Sequence, residues 1–235
     1  MAVVIFDLFG TLIEKVAYDY ASALDRLAVQ YFDGRVGELA ELSLRFKEGY
    51  IQKRKTSLAE TSFFAQLEFF ETSLGLRLPE DRRAVELAFL RDFRKERLID
   101  GTEDVLRYLH EGGCQIFVLT NSIFSGDSLR AYLDGFGIGG YFREVYSSAD
   151  IGFRKPSRRA FGYVLASLGS QAPEEAYYVG DSMEKDYEGA RKSGLTAILF
   201  GTDPRATGMA FGDMGSLLGF FQARLGRRAW EDRRT

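Results

Sequence analysis

Two residue types that carry much of protein chemistry are almost missing from this 235-residue chain, which has one cysteine, Cys114, and one histidine, His110. A lone thiol forms no internal disulfide and suits a reducing compartment, so a cytoplasmic location is expected. Zinc centres built from histidine and cysteine lack ligands. A Ser-His-Asp triad would have to use His110, which lies in an amphipathic helical pattern with no nucleophile elbow to accompany it. Long apolar runs are missing too: none reaches the roughly 20 residues of a membrane helix. The N-terminal apolar stretch has no basic segment before it and is interrupted by Asp7, which argues against a signal peptide. Charge of one sign is scarce: 31 basic and 34 acidic residues leave a net −3. That balance offers no global attraction for nucleic acid or an anionic membrane, and neither is expected as a partner.

What is present is a rhythm. Short apolar runs occur at 3–6, 116–120, 144–147, 177–180 and 197–200, without strict alternation. Strands buried on both faces of a parallel sheet read this way. Helical patterns fall between the later runs, at 103–110, 128–133, 157–168 and 185–193. The predicted fold class is therefore α/β, a parallel sheet covered by helices on both sides. Residues 15–97 read differently, with four helical patterns at 18–31, 36–53, 58–74 and 79–96 and no convincing strand. A mostly helical subdomain, 16–97, is thus inserted into a core formed by 1–15 and 98–235. Ser57 with Glu60 predicts a capping box for the third of these helices, and Pro79 suits the first turn of the fourth. Phe63, Phe64, Phe69 and Phe70 are expected to fill the subdomain's own core. The arginine-rich stretch 224–235 reads as a solvated tail. The string GFGIGG at 135–140 matches a dinucleotide fingerprint, but it follows a helix and precedes a strand, so it reads as a helix stop.

Chemistry-bearing residues stand at the C-terminal ends of the predicted strands. Asp7 ends the first, Thr120-Asn121-Ser122 the second, Arg154-Lys155 follow the third, and Gly180-Asp181-Ser182 end the fourth, with Asp186 close behind. In an open parallel sheet such ends converge on one crevice. Asp7 is a candidate nucleophile, able to form an ester or acyl-phosphate that water then splits. Gly10 allows a sharp turn whose amides can face an anionic oxygen, and Thr11 and Thr120 offer hydroxyl donors. Lys155 would neutralise charge spreading over a transferred group. Asp181 and Asp186 suit Mg²⁺, a hard ion that takes oxygen ligands.

In order and spacing, DLFGTL, LTNS, RKP and GDSMEKD resemble the four motifs of the haloacid dehalogenase (HAD) superfamily of hydrolases, in the subgroup with a helical cap inserted after the first strand. The resemblance spans about residues 1–201. It implies a Rossmann-like parallel sheet core with an inserted helical cap, hinged near 14–16 and 97–101. It also implies Asp7 as nucleophile, Thr120 and Lys155 as further catalytic residues, and Gly10, Thr11, Thr120 and Asn121 around the substrate. Mg²⁺ would be held by Asp7, the backbone carbonyl of Phe9 and Asp181, with Asp186 a ligand through water or the group that orients Lys155. A small phosphorylated substrate and a monomer or homodimer are expected.

Phe9 departs from the pattern. Typical phosphatases of the superfamily have an acid there, which protonates the leaving alcohol; the 2-haloacid dehalogenases have an aromatic, since halide needs no proton. Asp181 points the other way, because those dehalogenases use no metal and carry a neutral residue at that place. Charge decides: Asp7, Asp181 and Asp186 sum to −3 and Lys155 returns +1, and the remaining −2 would repel a haloacid but balance Mg²⁺. The expected function is a Mg²⁺-dependent phosphatase acting through an aspartyl-phosphate. The alternatives are a metal-independent 2-haloacid dehalogenase and a catalytically idle binding protein. Glu14 is a candidate replacement for the missing acid. Phe161 stands near the place of a dehalogenase aromatic, without a hydroxyl.

Overall fold

The structure, a computed structural model, describes residues 2–79, 81–168, 175–203 and 205–231. The run Ala2–Phe6 forms β1, the centre of a six-stranded sheet. Around it lie β4 (Gln115–Thr120), β5 (Glu144–Ser147), β6 (Glu175–Gly180), β7 (Thr196–Phe200) and β8 (Met209–Phe211), in the spatial order β5-β4-β1-β6-β7-β8. Every pairing is parallel. The five predicted strands are all present. The sixth, β8, has only three residues and borders one edge, too short to leave a periodic signal. Val4 and Phe6 pack on one side of the sheet, Val3 and Ile5 on the other, which is why the run shows no polar alternation. The strand order reverses at β1, so the crevice beyond its C-terminal end is where a ligand would lie.

Helices α5 (Thr102–Glu111), α6 (Gly126–Asp134), α7 (Ser148–Ile151), α8 (Arg158–Ser167), α9 (Gly189–Lys192) and α10 (Met214–Glu231) flank the sheet. The glycines at 135–140 end α6, with Gly137 at φ +76°, as their place after a helix predicts. The 224–235 stretch is helical through Glu231 rather than a loose tail, and residues 232–235 lie outside the described ones. Arg224 pairs with Glu175 at 2.8 Å and donates to the Tyr177 hydroxyl at 3.1 Å, which ties α10 to β6. Among the described residues no helix is long and apolar enough to cross a membrane.

Between the first two sheet strands in sequence, four helices form a block: α1 (Tyr20–Tyr31), α2 (Val36–Thr56), α3 (Phe63–Leu74) and α4 (Arg82–Phe93). The chain enters and leaves it through an antiparallel ribbon, β2 (Ile13–Tyr18) and β3 (Arg94–Leu98). The sequence reading has no strand here and places loose hinges at these positions. The ribbon escapes a pattern search because most of it faces water and buries no apolar face. It is held by cross-strand pairs instead, such as Glu14 with Arg97 at 2.6 Å.

The capping box at Ser57 and Glu60 does not form. Ser62 caps α3, accepting from the Ala65 amide at 3.2 Å, while Ser57 closes α2. Glu60 turns inward instead. Pro79 precedes α4, whose cap is Asp81. Phe63 and Phe70 are fully buried, and Phe63 stacks on Phe89 at 4.6 Å. The same ring also meets Phe124 of the sheet layer at 5.5 Å, so the aromatic core of the block is continuous with that of the sheet.

A second clasp between block and sheet layer is Glu86 of α4, wholly buried. Its carboxylate accepts from the Ser125 amide at 3.1 Å and the Ser128 hydroxyl at 2.6 Å, and also from the Ser125 hydroxyl, at the N-terminus of α6. Burial raises its pKa above the ordinary 4.5, against the pull of these donors. A carboxyl raised in the folded state contributes most stability below pH 4.5 and loses it as pH climbs through the native value. The stability of the wild type relative to Glu86→Gln is therefore expected to fall with rising pH across that window in urea unfolding. A difference that does not move with pH would contradict it.

Candidate active site

β1 carries its ladder one residue past its end, with the Asp7 amide donating to the Val179 carbonyl at 2.8 Å. This holds Asp7 at the floor of the crevice with 7% of its surface exposed. The chain then folds back on itself: Leu12 and Ile13 donate to the Leu8 carbonyl, at 2.9 and 3.2 Å. Gly10 sits at φ +89°, and a Cβ there would come within 2.3 Å of Asp181 Oδ2. Close approach of the turn to Asp181 thus requires glycine. The Gly10 amide itself is used within the turn, donating to the Ile13 carbonyl at 2.8 Å. Thr11 is fully buried, and its hydroxyl has no partner among the described residues.

Lys155 reaches the floor from the loop before α8. Its ammonium lies 2.7 Å from Asp7 Oδ1, 2.7 Å from Asp186 Oδ1 and 2.6 Å from the Tyr178 hydroxyl. Three donors meet three acceptors, so the charge is fully satisfied away from water. Asn121 steadies this loop, with its amide oxygen accepting from the Lys155 backbone N–H at 2.8 Å and its amide nitrogen donating to the Lys155 carbonyl at 3.0 Å. Its side chain is engaged by the backbone while lining the cavity above. Asp186 is brought inward by a π-helical segment, Met183–Glu188, a form of turn that often marks functional positions. Its second oxygen accepts from the Ser182 amide at 3.0 Å. Asp186 thus holds one oxygen on the Lys155 ammonium and the other on the backbone.

Tyr178 was missed by sequence reasoning, which read it as strand core. Its hydroxyl lies 3.0 Å from both the Leu119 carbonyl and Asp186 Oδ1 while receiving the Lys155 ammonium. The available signal was that a tyrosine in a doubly covered strand must find a partner for its hydroxyl. Burial, Asp186 and Asp7 hold its pKa far above the usual phenol range, so it stays protonated.

A cavity of about 430 Å³ opens over this floor, lined by Asp7, Phe9, Thr120, Asp181, Ser182 and Lys185 among others. Carboxylate oxygens of Asp7, Asp181 and Asp186 lie within 4.8 Å of one another. Burial pushes Asp7 up to about 6, with Lys155 pulling it down and the neighbouring acids adding to the rise. Asp181 is raised by burial and by Asp186. For Lys155, burial favours loss of the proton, but Asp186 and Asp7 outweigh it and hold the ammonium charged. Hard oxygen donors from three clustered carboxylates fit a divalent cation such as Mg²⁺. Glu14 is paired to Arg97, and Phe161 is fully buried against Tyr178 at 5.2 Å, away from the cavity.

Phe9 partly lines this cavity and lies under a cation: the Arg94 guanidinium carbon is 3.6 Å from its ring centroid. Arg94 comes from the start of β3 and is held by Glu96 at 2.7 Å. Arg154 stands between this cavity and a neighbouring one. Arg94 was not singled out for a site role, since it sits in a charged run that reads as surface, and Arg154 was noted only as the neighbour of Lys155.

A family model described as haloacid dehalogenase-like hydrolase matches residues 1–194. Over 120 residues the chain is 37% identical to the phosphoserine phosphatase of Thermus thermophilus, covering 51% of this chain and 47% of that one. The chain thus spans about half the length of that relative. It is 29% identical over 210 residues to the ribulose-1,5-bisphosphate 5-phosphatase of Halopiger xanaduensis, covering 84% and 83%. Among solved structures, a HAD phosphatase from Thermococcus onnurineus superposes with TM-score 0.60 at 22% identity, covering 94% and 98% of the two chains. A 2-haloacid dehalogenase from Pseudomonas syringae pv. Tomato superposes with TM-score 0.59 at 20% identity, covering 95% and 99%. These superpositions establish the shared fold.

The crowding at Gly10 can be measured. Gly34 also has positive φ, at +73°, but a Cβ there would meet nothing within 4 Å. Both alanine substitutions carry the backbone cost of about 1–2 kcal/mol. Gly10→Ala should cost clearly more in urea unfolding, because it also displaces Asp181; equal losses would show that the contact with Asp181 is not tight.

Proposed function

The chain belongs to the haloacid dehalogenase-like hydrolases, and from that premise we propose that it is a Mg²⁺-dependent phosphatase of a small phosphorylated metabolite. The observation that carries the reading is the meeting of Asp7, Asp181 and Asp186 beside one buried ammonium. Asp7, the Phe9 carbonyl and Asp181 would hold the ion. When bound, it would neutralise phosphoryl and carboxylate charge and so keep Asp7 ionised.

In this reading residues 16–97 are a cap over the core of 1–15 and 98–235. An Asp7 oxygen attacks phosphorus, the bond from phosphorus to the leaving oxygen breaks, and an aspartyl-phosphate forms. Water then attacks phosphorus, the bond to Asp7 breaks, and phosphate leaves. Lys155, already 2.7 Å from Asp7, holds that carboxylate in place and balances charge on the transferring group. The Thr120 hydroxyl, at the rim of the floor, donates to a phosphoryl oxygen.

Phe9 brings no proton to the leaving oxygen. Arg94, stacked on it, brings a positive charge that favours departure of an oxyanion. The enzyme should therefore favour substrates with good leaving groups, such as acyl or aryl phosphates. The same stack also favours a second reading, halide displacement from a 2-haloacid, which requires no leaving-group proton either.

Three results are expected. Phosphate release from an acyl phosphate disappears in EDTA and in Asp181→Asn, with no halide released from haloacids; halide release that survives EDTA would put the second reading in its place. Asp7→Asn is inactive while still folded by circular dichroism. Phe9→Asp raises turnover of simple alkyl phosphates by about 10²-fold, within the usual range for general acid help. Alkyl phosphate rates that do not rise would sink the account of the missing acid.

A further inference from the structure

A second cavity, also of about 430 Å³, adjoins the first, and Asn121 and Arg154 line both. Its walls are aromatic, including Tyr20, Phe46, Tyr50 and Phe93. Its charged lining is of one sign: Lys47, Arg54, Arg94 and Arg154, with no acid among the lining residues. Two buried carboxylates stand behind these cations. Glu60 accepts from Arg54 at 3.1 Å and also pairs with Arg154; Glu96 accepts from Arg94 at 2.7 Å. Four cations against two acids leave the pocket at +2.

The hydrogen-bonding is also incomplete. The Tyr50 hydroxyl and Arg54 Nε are shielded from water and have no partner among the described residues. Arg54 stacks on the Tyr50 ring at 3.7 Å, so both are fixed where they stand. Burial, against the attraction of Glu60, brings the Arg54 guanidinium down to about 10, and nearby Arg154 adds to the fall. Cations serving only as structure would be expected to have their donors saturated. Here donors and positive charge are left over in a pocket large enough for a metabolite fragment.

We propose that this cavity is a subsite for a second anionic group, so that the substrate is a phosphate ester or anhydride whose leaving part carries a carboxylate or a further phosphate. This rests on the phosphatase reading for the first cavity and deepens it. The aromatic walls take the carbon skeleton between the two anions. Arg94 lines the second pocket and lies over Phe9, whose ring separates it from the first.

The test uses phosphates of ω-hydroxy acids with chains of increasing length, each paired with its methyl ester, with Mg²⁺ present. At the best-fitting length the wild type should favour the acid over its ester by about tenfold or more in kcat/KM, since a site built to pair a polar group rejects the analogue lacking it. Lys47→Gln and Arg54→Gln should each shrink that ratio, and added salt should shrink it further. Lys47 is exposed, so its variant is informative even if Arg54→Gln fails to fold. Alkanediol bisphosphates form a parallel arm: preference for them over the acids identifies a second phosphate, and the reverse a carboxylate. Calorimetric titration of the same pairs into Asp7→Asn reads the subsite whether or not the wild type hydrolyses them. Failure of turnover with the acid still bound more tightly than its ester would strike the phosphatase reading alone. Equal affinity of acid and ester at every length, in turnover or titration, overturns the subsite.

Discussion

One buried ammonium organises this molecule. Lys155 is 3% exposed, and its three protons are taken by Asp7, Asp186 and Tyr178. An isolated ammonium at that depth would be strongly disfavoured, and removing one partner of such a pair typically costs about 3–5 kcal/mol. The surrounding structure is arranged to avoid that penalty. Asn121 grips the backbone of Lys155 from the end of β4, the π-helical segment swings Asp186 inward, and Tyr178 of β6 closes the third position. Four separated segments are thus bound to one point by charge as well as by packing.

Close approach follows from the same constraint. Gly10 lets the turn after Asp7 sit against Asp181, and at Gly180 a Cβ would lie 2.5 Å from the Asp186 side chain. Both glycines are where backbone and carboxylate need the same space. Asp186 and Asp181 accordingly add to the rise at Asp7, and Asp186 to that at Asp181, and a divalent cation would relieve that repulsion.

The helical block is secured over the crevice at more places than its ribbon. Glu60, with its side chain wholly buried, joins Arg54 of the block to Arg154 and Ser148 of the sheet layer. Beside it the backbone of the 57–62 segment bonds to the loop before Lys155, with the Glu60 amide on the Gly152 carbonyl and the Arg154 amide on the Leu58 carbonyl. The loop that carries Lys155 is therefore in register with the pocket above it. Movement of the block would disturb Arg154 first, one residue from Lys155.

Much of the floor could be read from residue order alone. Apolar runs without alternation implied a doubly covered parallel sheet, and the acids and the lysine that follow those runs implied Asp7, Lys155, Asp181 and Asp186 at one crevice, because parallel topology leaves few other arrangements. Features held by pairs distant in sequence were invisible. The β2–β3 ribbon has no buried apolar face to announce it, Glu60 mimicked a local cap while serving a partner 94 residues away, and Tyr178 looked like packing. Arg94 and Phe9 lie 85 positions apart, and only the return of the chain through β3 stacks one upon the other. Local pattern determined which residues could do chemistry. Which of them touch, and where the surplus positive charge gathers, was decided by the tertiary structure, since electrostatic and hydrogen-bonding contacts depend on distance in space and leave no period along the chain.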